Sequence, residues 1–512
     1  MSIRDPLTRA LDVIDLEAQS RISPIALRSR RVRALSLSPR TILQLAALAI
    51  GLQFLFMSML SIRRHESFGS SAYDLGIVDQ AVWNAAAGRD LQSSIMGYHF
   101  FGEHFSPILY LLVPLYEIAP DVRVALAFQS FALALAAVPL FLLARRGLGP
   151  LSAFGFVLLY LAYSPARNVA LFDVHEIAFA TPILFFACWF LETRNNLALA
   201  ATCFLALLCK EEIGLVVAGI GIYLFFARRE RAWGVAFFVL GMAWITAAVL
   251  VIIPHFRGTG YAFVDRYASL GRTPSQVLLT LILHPWIPIQ RILDPARLKY
   301  IVDVFGPLSF LSFAAPAQLL LAAPTFFLSI LSDQPAQYST TYHYTAPLTP
   351  FVFYSAIHGC ARLSRFAARA RNPALRALSR PPAVVGAMLV VSLLIFARSP
   401  ASDWKRYSPN AQEQAMDAAL RSIPPQTSVC AQATLVPHLS QRRDITQFPN
   451  VRGASVICLD RDAAPWPIEK EERDEIVNDL VARGEYIVIR EEGSLQILER
   501  RTTLAAQSFS AK

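Results

Sequence analysis

Apolar runs near twenty residues recur along this chain, and most are closed by arginine. That pattern constrains the fold more than any other feature, because a run of this length matches the hydrocarbon thickness of a bilayer. Backbone polar groups inside lipid must be satisfied within the segment, so such runs read as helices. Only 16% of the 512 residues are charged while 55% are hydrophobic, against about 25% charged in ordinary soluble domains. The chain reads as an all-α polytopic membrane protein.

Charge placement orients the spans. Residues 1–40 hold eight arginines and no lysine, and residues 362–380 hold six more. Both blocks abut apolar runs and read as cytoplasmic anchors. The net charge of +10 is thereby explained by topology, and nucleic acid is excluded as a partner. Threading predicts about eleven crossings: 41–62, 122–144, 150–164, 175–193, 196–210, 213–227, 232–253, 302–315, 317–331, 346–361 and 382–397. The 302–315 and 317–331 pair reads as a tight hairpin around Pro316. The first run lacks a small-residue cleavage site and reads as a retained helix. Phe105–Ile118 is short for a span and reads as an interfacial helix in the first outer loop, since a crossing there would place Arg145 and Arg146 outside.

Three regions follow: a basic cytoplasmic tail (1–40), a transmembrane domain (41–397), and a polar segment (398–512) that alternates helical and β-like patterns. The last reads as a small extracytoplasmic α/β domain. The N-terminus is expected in the cytoplasm of a multi-pass cell-membrane protein. Four of the six cysteines lie in apolar runs as small hydrophobes. Cys430 and Cys458 share the C-terminal region and could bridge in an oxidising compartment.

With this threading, the ionisable exceptions fall at one face: Asp74, Asp79, His104, Asp173, His175, Glu176, Lys210, Glu211, Glu212 and His343. Ionisable groups at membrane depth default to a functional reading. Asp74 opens an amphipathic stretch, Tyr73–Ala87, where a carboxylate favours the helix start and could be a plain cap. Asp79, five residues on, is not cleanly on the same face. His104 follows His99 and Glu103 in a spacing that matches no zinc signature. Lys210 is the sole lysine in the first 298 residues. It sits in LLCKEEIGL between apolar flanks, which calls for a carboxylate or an anionic ligand beside it. Carboxylates, a lysine and histidines at a bilayer surface suit a substrate with a phosphate head and a lipid tail, a carboxylate activating the acceptor hydroxyl.

The blocks YDLGIVDQAVW, HFSPILYLLVPLY, FDVHEIAFATP, LCKEEIGLVVAGIGIYL, LKYIVDVFGPLSFLSFAAP and YHYTAPLTPF resemble the prokaryotic membrane-protein family of domain of unknown function 2079. The tail fragments IPPQTSVCAQATLVPHLSQR and ITQFP resemble it too. More broadly the layout resembles GT-C glycosyltransferases, which use polyprenyl-phosphate sugars. That resemblance implies a lipid-linked sugar donor, a bilayer setting, and an acidic residue of the first outer loop acting as base or metal ligand. By position this is Asp74, with Asp79 second. It further implies that Lys210 or an outer-loop arginine such as Arg266 meets the lipid phosphate, with His104, Asp173, His175, Glu176, Glu211 and His343 around the site. Better-known members carry an Asp-Glu pair where Asp74 is followed by Leu75. Use of a divalent metal and the identity of the base therefore stay open. Two rivals remain open on the sequence: a transporter or lipid flippase, and a non-catalytic membrane scaffold. Edge-located charges and the lack of a visible inverted repeat weigh against the first.

Overall fold

The computed structural model describes residues 37–397 and 407–501. Most of the arginine-rich tail and the start of the C-terminal segment fall outside that range. Four helices are long and apolar enough to cross a membrane: Pro39–Glu66, Val122–Leu148, Glu176–Thr193 and Arg231–Arg257. Shorter apolar helices fill the space between them, among them Pro150–Ala162, Asn196–Leu207, Ile213–Phe226 and Pro381–Ala397. Helix Thr349–Ala368 supplies a further buried element. The first helix starts where sequence rules place a start. Ser38 accepts from Thr41 N and Pro39 takes the first helical position, where its missing N–H costs nothing.

The threaded hairpin around Pro316 needs correction. Residues 302–315 are not one continuous helix: helix Pro295–Phe305 begins before them and stops at Gly306. Short turns follow at Gly306–Leu308, Leu311–Ala314, Pro316–Leu319 and Leu320–Ala322 before helix Ala323–Ile330. Pro307, Pro316 and Pro324 each remove a backbone donor. Ser309 and Phe310 take positive φ, which ends any regular helix there. Eleven full-length crossings are therefore more than the described residues contain. Pro107–Leu112 and Val113–Ile118 form the expected short element of the first outer loop.

One helix pair is joined by glycine contacts. A Cβ on Gly241 would sit 2.3 Å from Gly214 O, and one on Gly221 would sit 2.7 Å from Gly234 O. Helices Ile213–Phe226 and Arg231–Ala247 thus approach backbone to backbone, the small-residue contact that lipid-embedded helices favour. Gly241→Leu should force them apart. We expect no monodisperse folded protein from that variant on size-exclusion chromatography, while Gly386→Leu, with open space around it, should behave as wild type.

The C-terminal segment carries a five-stranded sheet. Its order is 445–447, 429–431, 456–460, 495–500, 486–492, parallel across the first three strands and antiparallel beyond. Strand Ile445–Gln447 and helix Val436–Leu439 are not expected from the sequence, because three- and four-residue elements show no period. The cysteine pairing is settled by register. Cys430 lies opposite Ile457 and Cys458 opposite Ala431, so the two thiols point to opposite faces of the sheet. Both are free and buried. No rotamer joins side chains on opposite faces.

The sheet region is seated on the segment between the first two long helices. Ser94 Oγ donates to Ile445 O at 2.8 Å, and Gln80 Nε2 donates to Arg442 O at 3.0 Å. The ring of His438 stacks between His65 (4.2 Å) and Phe68 (4.1 Å). Apolar residues of both regions form one continuous core.

Candidate functional site

The turn before helix Ile77–Ala86 is a single π-turn, Ala72–Gly76. It presents Asp74 outward, while Asp173 fastens it from behind. Asp173 Oδ2 accepts from Ser71 N at 2.9 Å and Oδ1 accepts from Arg64 at 2.7 Å. Asp173 is fully buried, so it is a brace between the first helix and this turn. Gln129, a lone amide in an apolar span, braces the next residues. Its Oε1 accepts from His175 N at 2.8 Å and its Nε2 donates to Val169 O at 3.2 Å.

His175 is held at both ring nitrogens. Nδ1 lies 2.9 Å from Asp173 O and Nε2 lies 3.2 Å from Asp74 Oδ1. A carbonyl only accepts, so Nδ1 carries a proton. Burial works against a charged ring, but the Asp74 carboxylate outweighs it and raises the His175 pKa. His343 stacks on the same ring at 3.7 Å. Burial, then the neighbouring His175, hold His343 well below the usual range.

The adjacent Glu176 meets Lys210 at 3.1 Å, both side chains buried. Burial disfavours the ammonium, yet Glu176, Glu212 and Glu211 overcome it and the Lys210 pKa is raised. Glu211 turns the other way. It accepts from Tyr261 at 3.0 Å and Phe105 N at 3.2 Å, and His104 Nδ1 lies 3.0 Å away. Burial, then Lys210, push His104 down to about 3. The ring is therefore neutral and donates to Glu211 as a plain hydrogen bond.

Beyond this row opens a largely apolar cavity of about 570 Å³. Its walls include Leu215, Ile245, Val277, Leu281, Phe327 and Leu328, and its polar residues include Glu212, Arg266 and Gln337. Arg266 lies over the Phe263 ring at 4.1 Å and faces Tyr344 at 5.9 Å. Among the described residues it joins no ion pair.

Asp74, His104, Asp173, His175, Glu176, Lys210, Glu211 and His343 thus form one connected network, with Arg266 at the cavity beside it. Asp79 stands apart. It accepts from Tyr116 at 2.7 Å, from Ser440 at 2.5 Å and from Gln441 at 3.1 Å, and is fully buried. It fastens the sheet region to the outer loop and does not share the Asp74 opening. Sequence reasoning passed over Arg64, Gln129 and Tyr261. Only Gln129 left a signal, as a polar residue inside an apolar run. Among the described residues no three His, Cys, Asp or Glu side chains converge as a metal site. The donor set around Asp74, one carboxylate and one imidazole already hydrogen-bonded to each other, is too small to hold a divalent cation.

Asp79 yields a pH prediction. Ser440 has one hydroxyl hydrogen but lies within reach of both Asp79 Oδ2 and Pro437 O at 3.0 Å. That hydrogen is shared between the two acceptors. Burial pushes this carboxyl up to about 6 despite its three donors. The folded value lies above the ordinary value of about 3.9. Stability from protonated Asp79 is therefore full below about pH 4 and lost as pH rises through about 6, up to about 3 kcal/mol in all. Relative to Asp79→Asn, the wild type should gain thermal stability between pH 7 and pH 4. Parallel melting curves for the two proteins would remove Asp79 from this role.

A family model described as predicted membrane protein (DUF2079) matches residues 64–496. No curated protein matches the sequence. The fold is similar to that of ArnT from Cupriavidus metallidurans in two crystal structures. The form bound to undecaprenyl phosphate aligns with TM-score 0.53 at 12% identity, over 89% of this chain and 98% of that one. The apo form aligns with TM-score 0.52 at 13% identity, over 90% and 99%.

Proposed function

The chain belongs to the DUF2079 family of predicted membrane proteins, and on that footing we propose that it is a membrane glycosyltransferase. It would move a sugar from a polyprenyl-phosphate donor to an acceptor outside the cytoplasm, with the N-terminus inside and the sheet domain outside. One observation carries the reading. A largely apolar cavity of about 570 Å³ is lined by Arg266, a guanidinium that joins no ion pair among the described residues, beside a row of buried charges that leads to Asp74. The undecaprenyl phosphate held by the ArnT structure is a ligand of the same chemistry on the same fold.

Roles follow from exposure. Asp173, Glu176 and Glu211 are shielded, whereas the Asp74 side chain is 30% exposed. Asp74 is therefore the carboxylate of this network best placed to meet an incoming hydroxyl. His175 fixes its orientation. Tyr73 and Trp466 of the sheet domain stand edge to face at 6.1 Å on the open side, where an acceptor would approach. Lys210 is committed to Glu176, so we assign the phosphate contact to Arg266, with Lys210 as a fixed positive charge behind it.

Mass spectrometry of lipid retained on the purified protein tests the donor class, and a bound polyprenyl phosphate is the expected result. Arg266→Gln should weaken binding of added polyprenyl phosphate about 30-fold, the worth of one charge-assisted contact of about 2 kcal/mol. Unchanged affinity would move the phosphate elsewhere. Uptake by proteoliposomes without any sugar transfer would favour the transporter reading.

A further inference from the structure

The segment between the crossings threaded at 232–253 and 302–315 carries a helical hairpin, Pro274–Leu283 and Trp286–Ile292. Val277, Leu278 and Leu281 on its first helix wall the apolar cavity. Ile287 and Ile292 pack against the core, while six further large apolar side chains face outward: Leu279, Ile282, Leu283, Trp286, Ile289 and Leu293 are each more than half exposed. Both sides of the hairpin are thus apolar. Six such side chains within fifteen residues exceed what a water-facing surface carries. Among these fifteen residues, the exposed polar side chains are His284 and Gln290. Arg272 and Gln276 mark the start of the first helix, and Arg291 is turned inward to Leu331 O (2.7 Å) and Asp333 (2.9 Å).

The surroundings choose the occupant. The cavity is also lined by Val249 and Leu250 of helix Arg231–Arg257, whose Leu250 and Val251 are exposed on a membrane-spanning element. Leu278 both lines the cavity and is 59% exposed. The cavity therefore opens at the hairpin, on the same side as lipid-facing helix surface. Trp286, with His284 beside it at 5.0 Å, sits at the hairpin tip, and tryptophan favours the boundary of the hydrocarbon.

We propose that residues 274–293 are embedded in the outer leaflet and form a sideways port through which a lipid tail passes from bilayer to cavity. The embedding stands on the exposed apolar faces alone, and only the identity of the passing lipid rests on the proposed transferase reading. An apolar tail entering this way never crosses water, while its phosphate stays at the level of Arg266.

Fluorescence quenching in nanodiscs tests the embedding, with Trp286→Phe subtracted to isolate the Trp286 signal. Phospholipids brominated on the acyl chains should quench that signal strongly and aqueous iodide should not. Iodide quenching without bromolipid quenching would put the hairpin in water and overturn the proposal. Quenching by neither would show it covered by protein, and overturns it equally. The port is tested with Ile282→Gln combined with Ile289→Gln, positions outside the cavity wall and the charged network. The pair should slow uptake of a long-chain polyprenyl phosphate from the bilayer at least tenfold while leaving the melting temperature unchanged. Unaltered uptake would overturn the port. Failure of the transferase reading would show differently, as normal lipid uptake with no sugar transferred.

Discussion

Asp74→Asn should abolish sugar transfer while the protein remains folded and in the membrane. The carboxylate's only side-chain partner among the described residues is His175, and an amide can keep that contact's shape but cannot take a proton from an acceptor hydroxyl. Loss of a general base costs typically 10²- to 10⁴-fold, about 3–5 kcal/mol in activation free energy. The measurement is transfer from lipid-linked sugars into extracted acceptor, with the melting temperature and polyprenyl-phosphate binding recorded on the same sample. Loss of transfer with both of those intact is the expected pattern. Asp79→Asn is the control: that residue holds the sheet domain in place, so its variant should keep most of the activity. If Asp79→Asn is dead and Asp74→Asn works, the two roles are exchanged and the site lies at the domain junction.

Lys210→Met should be the most destabilising single change in the network. It strands the Glu176 carboxylate, and also removes the positive charge facing Glu211 and Glu212. Breaking a buried ion pair from one side costs about 3–5 kcal/mol, most of it the uncompensated charge left behind. Adding Glu176→Met should recover much of the loss, because exchanging a whole buried pair for apolar residues is often neutral. Thermal unfolding in detergent reads both steps. A single variant as stable as wild type would mean that water or an anion reaches Glu176, and would restore Lys210 itself as the phosphate contact.

Much of this site is legible in the amino-acid sequence. Repeated apolar runs give the class, and the arginine blocks give an orientation that puts FDVHEIAF, LLCKEEIGL and YHYTAP at one face. Asp74, His175, Glu176, Lys210 and His343 do meet, because helix ends on one side of a bundle have little room to be far apart. Pairing within that group is not legible. Lys210 has three acidic neighbours in sequence or space, and only packing assigns it to Glu176. Asp79 looks like an alternate to Asp74 because spacing along five residues cannot show that Tyr116, Ser440 and Gln441 close over it, two of them more than 360 residues away.

The same division runs through the fold. Hydropathy determined by itself that the chain spans a bilayer, that short elements lie between spans, and that an α/β segment follows, since each depends on local composition and period. Tertiary structure alone decided that residues 302–315 are broken turns, that Cys430 and Cys458 face opposite ways, and that the loop of residues 274–293 is apolar on both sides. Those outcomes depend on strand register, on where prolines fall against neighbouring helices, and on which faces find a partner. None of these is encoded in the window of a dozen residues over which apolar periodicity can be read.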